Sequence, residues 1–533
     1  MYRTPDQINP YLRLSPINMT AMTRLIFLAF MIAICSQQVN AQEKLVKSCK
    51  PCASFTQLAL PDVRINKAIS KNRDTLRPGP FDPAVILTAP FCRLEGVIGN
   101  EIAFELYLPA NWNGRFLMSG NGGFAGSFQN NLVDYVSQGY AVASTNTGHT
   151  GSPIQAEWAL NNMERQLNFG HLAVHRTTVV AKSLLNTAYC QPPSFNYFLG
   201  CSRGGGQALM EAQRYPDDYD GIVCGAPAFD WPAVGAKGIS IAQKNYTDPK
   251  NPNKPVITSD NLKLLQDIVC KQCDLADGLG DCVLNEPNNC RIDLNQLPRC
   301  PGDTASANCF TTAQIEALKT IFEPLVVGNK LVYPAYPPGL EAVDGGIDLW
   351  IAGTNPMMKP SLHHFFANGI FKYLVMNDPN WDFRQYSFNN FEAETRYAAG
   401  YLNATQTNYS AFEKSKGKMI LYHGWNDPAL SANATIQHYE AAMKQHPNLA
   451  SFMRLFLMPG VLHCAGGPGA DNVDYVQLIR NWVEKDQAPE RVIFTKKEKD
   501  KTVMTRPVYP YPKVAVYDGK GDPSKESSFG LKQ

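Results

Sequence analysis

Residues 200–206 read Gly-Cys-Ser-Arg-Gly-Gly-Gly. A serine flanked by glycines at a tight turn is held with its hydroxyl exposed and ready to attack, and the flanking positions leave no room for side chains. Far along the chain, His463 is followed by Cys464, as Ser202 is preceded by Cys201. If Ser202 and His463 meet in space, their neighbouring cysteines come close as well, and a disulfide would then clamp two reactive residues together. Acyl transfer at serine also needs an acid to orient the base. His423-Gly424-Trp425-Asn426-Asp427-Pro428 offers Asp427, so Ser202, Asp427 and His463 follow in the order Ser, Asp, His. Taken singly, Asp427 could be an Asx-Pro turn residue and His463 a structural loop histidine.

Those residues need a frame. Tyr197-Phe198-Leu199 reads as a buried strand entering the serine turn, and 207–214 as the helix leaving it. Strands are also expected at 103–108, 114–119, 140–145, 220–224, 418–422 and 455–458, with helical periodicity over 172–189. This alternation implies an α/β fold built on a mostly parallel sheet covered by helices. Asp427 and His463 each follow one of the late strands. Between 229 and 415 the character changes to clusters of Pro, Asn, Gly and Cys, which reads as an inserted domain. The frame is therefore 42–228 and 416–533, the insertion 229–415, and residues 505–533 a tail over the surface.

An anion formed at a carbonyl needs two convergent N–H donors. One is expected from the residue after the serine, Arg203. The other is expected from Gly120-Asn121-Gly122-Gly123 after the strand at 114–119, at Gly122 or Gly123. Within the insertion, Asp274, Asp277 and Asp281 lie around Gly278 and Gly280. With the carbonyls of Leu279 and Val283 they would make an oxygen cage suited to Ca²⁺, though the spacing is not that of an EF-hand and a plain acidic loop is the alternative.

Composition bounds the remainder. The chain has 533 residues, 44% hydrophobic and 18% charged, which describes a globular protein of more than one domain. A net charge of +2 gives no reason to expect nucleic acid or an anionic membrane surface as partner. Arg24, the apolar run 25–34 and Val39-Asn40-Ala41 form a secretory leader over residues 1–41, too short to span a bilayer. Export makes the protein secreted or periplasmic. Of its 14 cysteines, Cys35 leaves with the leader, and the odd remainder must include at least one free thiol.

These motifs together resemble the tannase/feruloyl esterase family of secreted α/β-hydrolases with a large lid, which includes an enzyme hydrolysing mono(2-hydroxyethyl) terephthalate. The segments that carry the resemblance are Gly200-Cys201-Ser202, 213–221, Gly225-Ala226-Pro227-Ala228, the Asp274 loop, Tyr422-His423-Gly424-Trp425 with Asp427, and His463-Cys464. The resemblance implies a triad of Ser202, Asp427 and His463, with Cys201–Cys464 beneath it. It also implies lid calcium on Asp274, Asp277, Leu279, Asp281 and Val283, and disulfides Cys52–Cys92, Cys273–Cys290 and Cys300–Cys309. Cys49, Cys190, Cys224, Cys270 and Cys282 are additional, and Cys270 with Cys282 could form a local bridge. Arg203 departs from the family, which usually has a small polar or acidic residue there.

The expected activity is hydrolysis of esters of aromatic, phenolic acids such as feruloyl or galloyl esters, by a serine carboxylesterase. The alternatives are a terephthalate-monoester hydrolase and an inactive hydrolase fold used for binding. Candidate contacts to a small aromatic ester are Trp350, His363, His364, Phe365, Phe366, Phe371, Trp381 and Phe383, most of which would serve core packing.

Overall fold

In the computed structural model, which describes residues 45–76 and 84–532, nine strands share one sheet. They are β1 (Val63–Lys71), β2 (Phe91–Ile98), β3 (Ile102–Pro109), β4 (Arg115–Ser119), β5 (Ala141–Thr145), β6 (Phe195–Cys201), β7 (Gly221–Gly225), β8 (Lys418–Gly424) and β9 (Met453–Met458). Their spatial order is 9-8-7-6-4-5-3-2-1. The leader expected over residues 1–41 lies outside the described residues.

The sheet is mixed. Every pairing from β9 across to β5 is parallel, whereas β1, β2 and β3 run antiparallel to their neighbours and β3 meets β5 antiparallel. The mostly parallel expectation therefore holds for the half that carries the serine and not for the first three strands. The reason is the connection: only residues 99–101 separate β2 from β3, far too few for a parallel crossover. Strands β4, β5, β7 and β9 are buried at every position. Burial at every position, on mostly apolar sequence, belongs to strands covered on both faces.

Helix α1 (Ala173–Tyr189) lays Thr177, Ala181, Leu184, Leu185 and Ala188 against one face, and α2 (Arg203–Arg214) follows the serine directly. The free edge of β9 is covered by the C-terminal tail: Tyr511 N donates to Leu455 O at 2.7 Å, and Pro510 bridges Phe456. That removes an exposed strand edge.

Residues 229–415 contribute α3 (Trp231–Asn245), α4 (Ser259–Cys273), α5 (Thr312–Phe322), α6 (Leu362–Gly369) and α7 (Phe391–Leu402), plus a small hairpin of 325–327 with 330–333. Helices α4 and α5 each begin with a reciprocal capping box, Thr258 with Asn261 and Thr311 with Gln314, satisfying N–H groups that have no partner within the helix. Leu262, Leu265, Ile315, Leu318 and Ile321 pack between them. Residues from Leu45 onward form one compact unit.

Among the described residues there are six disulfides: Cys49–Cys190, Cys52–Cys92, Cys201–Cys464, Cys270–Cys282, Cys273–Cys290 and Cys300–Cys309. Cys224 remains a buried free thiol. Among the described residues, no helix is long and apolar enough to cross a membrane.

Candidate active site

Ser202 sits between β6 and α2 with φ 64° and ψ −119°, a conformation that L side chains rarely adopt. The surrounding backbone enforces it: Ser202 N donates to Gly225 O at 3.0 Å, while Gly206 N (3.1 Å) and Ala228 N (2.9 Å) both donate to Ser202 O. A Cβ on Gly200 would stand 2.6 Å from the carbonyl carbon of Gly204, and one on Gly206 2.0 Å from Ala228 O. The glycines are thus required by close backbone approach on both sides of the serine. This is local strain held in place by its surroundings.

The acid and the base arrive on two loops stitched together at the ends of β8 and β9. Trp425 N donates to Met458 O at 2.9 Å, Asn426 N to Val461 O at 3.1 Å, and Gly460 N to Asn426 Oδ1 at 3.2 Å. Across this seam His463 Nδ1 lies 2.7 Å from Asp427 Oδ2. Since a carboxylate only accepts, Nδ1 carries the hydrogen and Nε2 is left with its lone pair. The Asp427 carboxylate is wholly buried; its Oδ1 accepts from Ala429 N at 2.8 Å and Leu430 N at 2.9 Å. Burial opposes its ionisation, but the imidazoles of His463 and His423 outweigh burial and hold the carboxyl well below the usual carboxylate range.

His423, visible in the sequence only as part of the motif around Asp427, also reaches this carboxylate. Its Nε2 lies 3.1 Å from Asp427 Oδ2 and 3.0 Å from Leu430 O, and its Nδ1 2.9 Å from Thr435 Oγ1. The Cys201–Cys464 bridge spans 263 positions and brings the residues next to Ser202 and His463 within a Cα separation of 5.9 Å. Ser202 Oγ itself makes no hydrogen bond among the described residues; such contacts are often long without substrate.

A cavity of roughly 80 Å³ opens at the serine, lined by Gly123, Ser202, Arg203, Trp350, His363 and Phe366 among others. Both sources of wall are visible here, since Trp350, His363 and Phe366 come from residues 229–415. The Trp350 ring stacks at 6.0 Å on Phe366 and meets the His463 ring edge-on at 4.9 Å, so the cavity wall and the base are in contact. The other predicted aromatics are elsewhere. Phe371 is buried in the core against Trp381, and His364 and Phe383 meet each other at 5.0 Å. His364 and Phe365 line a separate hollow.

Of the two glycines proposed as donors, Gly123 borders this cavity. The neighbouring N–H groups are engaged: Asn121 N on Gln207 Oε1 (2.9 Å), Phe124 N on Pro153 O (2.7 Å), Ala125 N on Gly122 O (2.9 Å). Gly123 has φ 54°, and a Cβ there would lie 2.1 Å from Pro153 O.

In the Asp274 loop, the three carboxylates cap backbone N–H groups: Asp274 on Cys282 N (2.7 Å), Asp277 on Leu279 N (3.1 Å) and Asn285 N (3.0 Å), Asp281 on Val283 N (3.0 Å). Desolvation, with the like charges facing one another, raises the Asp274 and Asp277 carboxyls. The donors are all oxygens, the chemistry a hard cation prefers. Among the described residues, the three side chains that each bring a ligand atom within 4.8 Å of the others are instead His175, Glu211 and Asp218. There Lys182 Nζ already lies 3.7 Å from Asp218 Oδ1 and supplies positive charge.

A mixed α/β sheet with a serine on a strained strand-to-helix turn, beside a buried aspartate–histidine pair, is the architecture of esterases of the α/β-hydrolase type. Comparison with known proteins narrows the class. The family model for tannase and feruloyl esterase matches residues 88–531. An uncharacterised esterase of Xanthomonas campestris pv. campestris is 30% identical, over 90% of this chain and 90% of that protein. A probable feruloyl esterase B-2 of Neosartorya fischeri is 28% identical, over 96% of this chain and 99% of its own. The crystal structure of feruloyl esterase B from Aspergillus oryzae superposes with a TM-score of 0.80 at 26% identity, covering 90% of this chain and 99% of that one. The chain belongs to the tannase and feruloyl esterase family, and it is a carboxylic ester hydrolase.

Proposed function

We propose that this is an exported serine esterase that cleaves esters of aromatic acids through an acyl-enzyme. The observation that carries the reading is the cavity at Ser202, walled by the Trp350 and Phe366 rings with the His463 ring against them. Ser202 Oγ attacks the ester carbonyl while His463 Nε2 takes its proton. Asp427 holds the imidazole in the required tautomer and faces the imidazolium that forms. The tetrahedral oxyanion sits against the N–H groups of Arg203 and Gly123. Collapse expels the alcohol, protonated by His463, and the same imidazole then activates water to release the acid. Residues 229–415 act as the lid, and the six disulfides suit the oxidising compartment to which the leader would send the protein.

The polar side-chain groups in the cavity lining are those of Ser202, Arg203, His363 and the Trp350 indole N–H, and no carboxylate is among them. A galloyl ring carries three hydroxyls, each costly to bury without a partner, whereas a feruloyl ring carries one hydroxyl and one methyl ether. Methyl ferulate is therefore expected to exceed methyl gallate in kcat/KM by about tenfold or more. The assay compares methyl ferulate, methyl gallate, a terephthalate monoester and a short aliphatic ester. Faster turnover of the aliphatic ester than of all three aromatic ones would overturn the reading, and a terephthalate monoester leading the panel would move it to that substrate.

The Asp274 loop supports a structural role for calcium, with Asp274, Asp277 and Asp281 and the carbonyls of Leu279 and Val283 as ligands. An ion bound only by the folded state stabilises it. Stripping the metal with a chelator should lower Tm by several degrees, and Asp277→Ala should lower it without chelator. A Tm unchanged in protein shown by elemental analysis to be metal-depleted would remove calcium from the account.

A further inference from the structure

The side chain of Arg203 is 1% exposed, behind the serine turn, and two of its nitrogens, Nε and Nη1, have no hydrogen-bond partner. A buried guanidinium with idle donors is costly, so its position calls for a physical reason. Its third nitrogen reaches across to another element: Nη2 donates to Phe169 O and, at 3.0 Å, to Gly170 O, in the π-helical turn Asn168–Leu172 that precedes α1. The guanidinium lies 4.4 Å from the Phe169 ring centroid and 5.4 Å from that of Trp231. Glu211 is buried further along the same helix, but burial and the neighbouring Asp218 push its carboxyl well above the usual range, so it is a poor counter-ion for Arg203.

The two rings under Arg203 lead to the oxyanion loop. Phe169 meets Trp231 edge-on at 5.2 Å, and Phe124 packs on both, at 6.4 Å and 5.8 Å. From the other side Phe366 closes on Phe124 at 5.3 Å, and a Cβ on Gly369 would stand 2.9 Å from its ring. Phe124 is therefore gripped on all these faces, and it is covalently next to Gly123. Phe124 fixes the peptide on the C-terminal side of Gly123, and the Gly123 N–H lies across that Cα at φ 54°.

We infer that the Arg203 side chain is a positioning residue that fixes the second oxyanion donor, Gly123, through the Phe169–Trp231–Phe124 stack. One residue then contributes to both halves of the oxyanion site: its backbone N–H is one donor, and its guanidinium braces the loop that carries the other. The inference rests on the esterase reading above. A short side chain at this position could not span from α2 to the Phe169 and Gly170 carbonyls.

The test separates bracing from ordinary packing by comparing ligands that do and do not place an oxyanion. Arg203→Met keeps the apolar stem of the side chain and removes the charge and the forked donor. For this variant kcat on methyl ferulate is expected to fall tenfold or more, because oxyanion donors act only when correctly aimed. Affinity for an arylboronic acid, which forms a tetrahedral adduct on the serine, should fall by a similar factor. KM and the inhibition constant of ferulate should stay within about threefold, and Tm should hold or rise as a buried charge is removed. Arg203→Lys, which keeps charge without the planar fork, should recover less than half of the lost factor on a logarithmic scale. If Arg203→Met fails to fold, Phe169→Leu breaks the same stack and should show the same selective loss of kcat and boronate affinity.

An unchanged kcat, boronate and ferulate affinities falling together, or full rescue by lysine would each overturn the inference. Failure of the esterase reading is distinguishable, because it would appear as activity surviving Ser202→Ala.

Discussion

Replacing Ser202 with alanine is expected to lower kcat on methyl ferulate by at least three orders of magnitude while leaving Tm unchanged. Nucleophile and base act as a unit, and removing one member of such a unit costs on the order of 10³–10⁶ in kcat. The fold should not register the change. Ser202 Oγ makes no hydrogen bond among the described residues, so its removal leaves no donor or acceptor stranded, and alanine suffers the same positive φ of 64°. Circular dichroism and a melting curve check the fold. A fluorophosphonate should add its mass to the peptide containing Ser202 in the parent protein and to no peptide in the variant. Retention of more than a tenth of the activity, or labelling at another serine, would assign the chemistry elsewhere.

What could be read from the chain without coordinates was governed by local constraints. The serine turn is legible because close backbone approach demands glycine at particular positions, so Gly200 and the run 204–206 announce it. The late strands are legible because β8 and β9 are buried at all positions but Lys418 and are mostly apolar, as in Met419-Ile420-Leu421 and Leu455-Phe456-Leu457-Met458. The antiparallel start of the sheet escaped, since a buried strand looks the same in either direction and only the short link between β2 and β3 reveals it.

Long-range pairing was harder still. Cys49 and Cys190 are 141 positions apart, and nothing in either neighbourhood points to the other. The aromatic candidates were separable only by packing. His363 and Phe366, three apart on α6, share the face turned to the serine cavity, while His364 and Phe365 between them line a different hollow. Arg203 shows the same limit: its type was visible as a departure, but its role depends on the π-helical turn at Asn168–Leu172 and on rings from distant segments.

Asp427→Asn should produce the second large effect, a fall in kcat of about 10³–10⁴ under the proposed mechanism, as expected when a base loses the carboxylate that sets its tautomer. Oδ1 is held by the N–H groups of Ala429 and Leu430, so the amide of asparagine would keep its oxygen there and turn its NH₂ toward His463 and His423. Two donors would then face each other across 2.7 Å unless His463 gives up the hydrogen on Nδ1. That places the hydrogen on Nε2, where it blocks proton transfer from Ser202. The same substitution should cost stability in a pH-dependent way. The carboxyl is depressed in the folded state, so its contribution is present above the unfolded pKa of about 4 and is lost as pH falls toward the lower folded value. The Tm difference between parent and variant should therefore be full at pH 7 and shrink below about pH 4. His423→Ala keeps the carboxylate and should cost far less in rate than Asp427→Asn, because His423 touches Oδ2 without contacting the cavity. A loss in Asp427→Asn below tenfold, or a larger loss in His423→Ala, would mean that Asp427 does not orient the base.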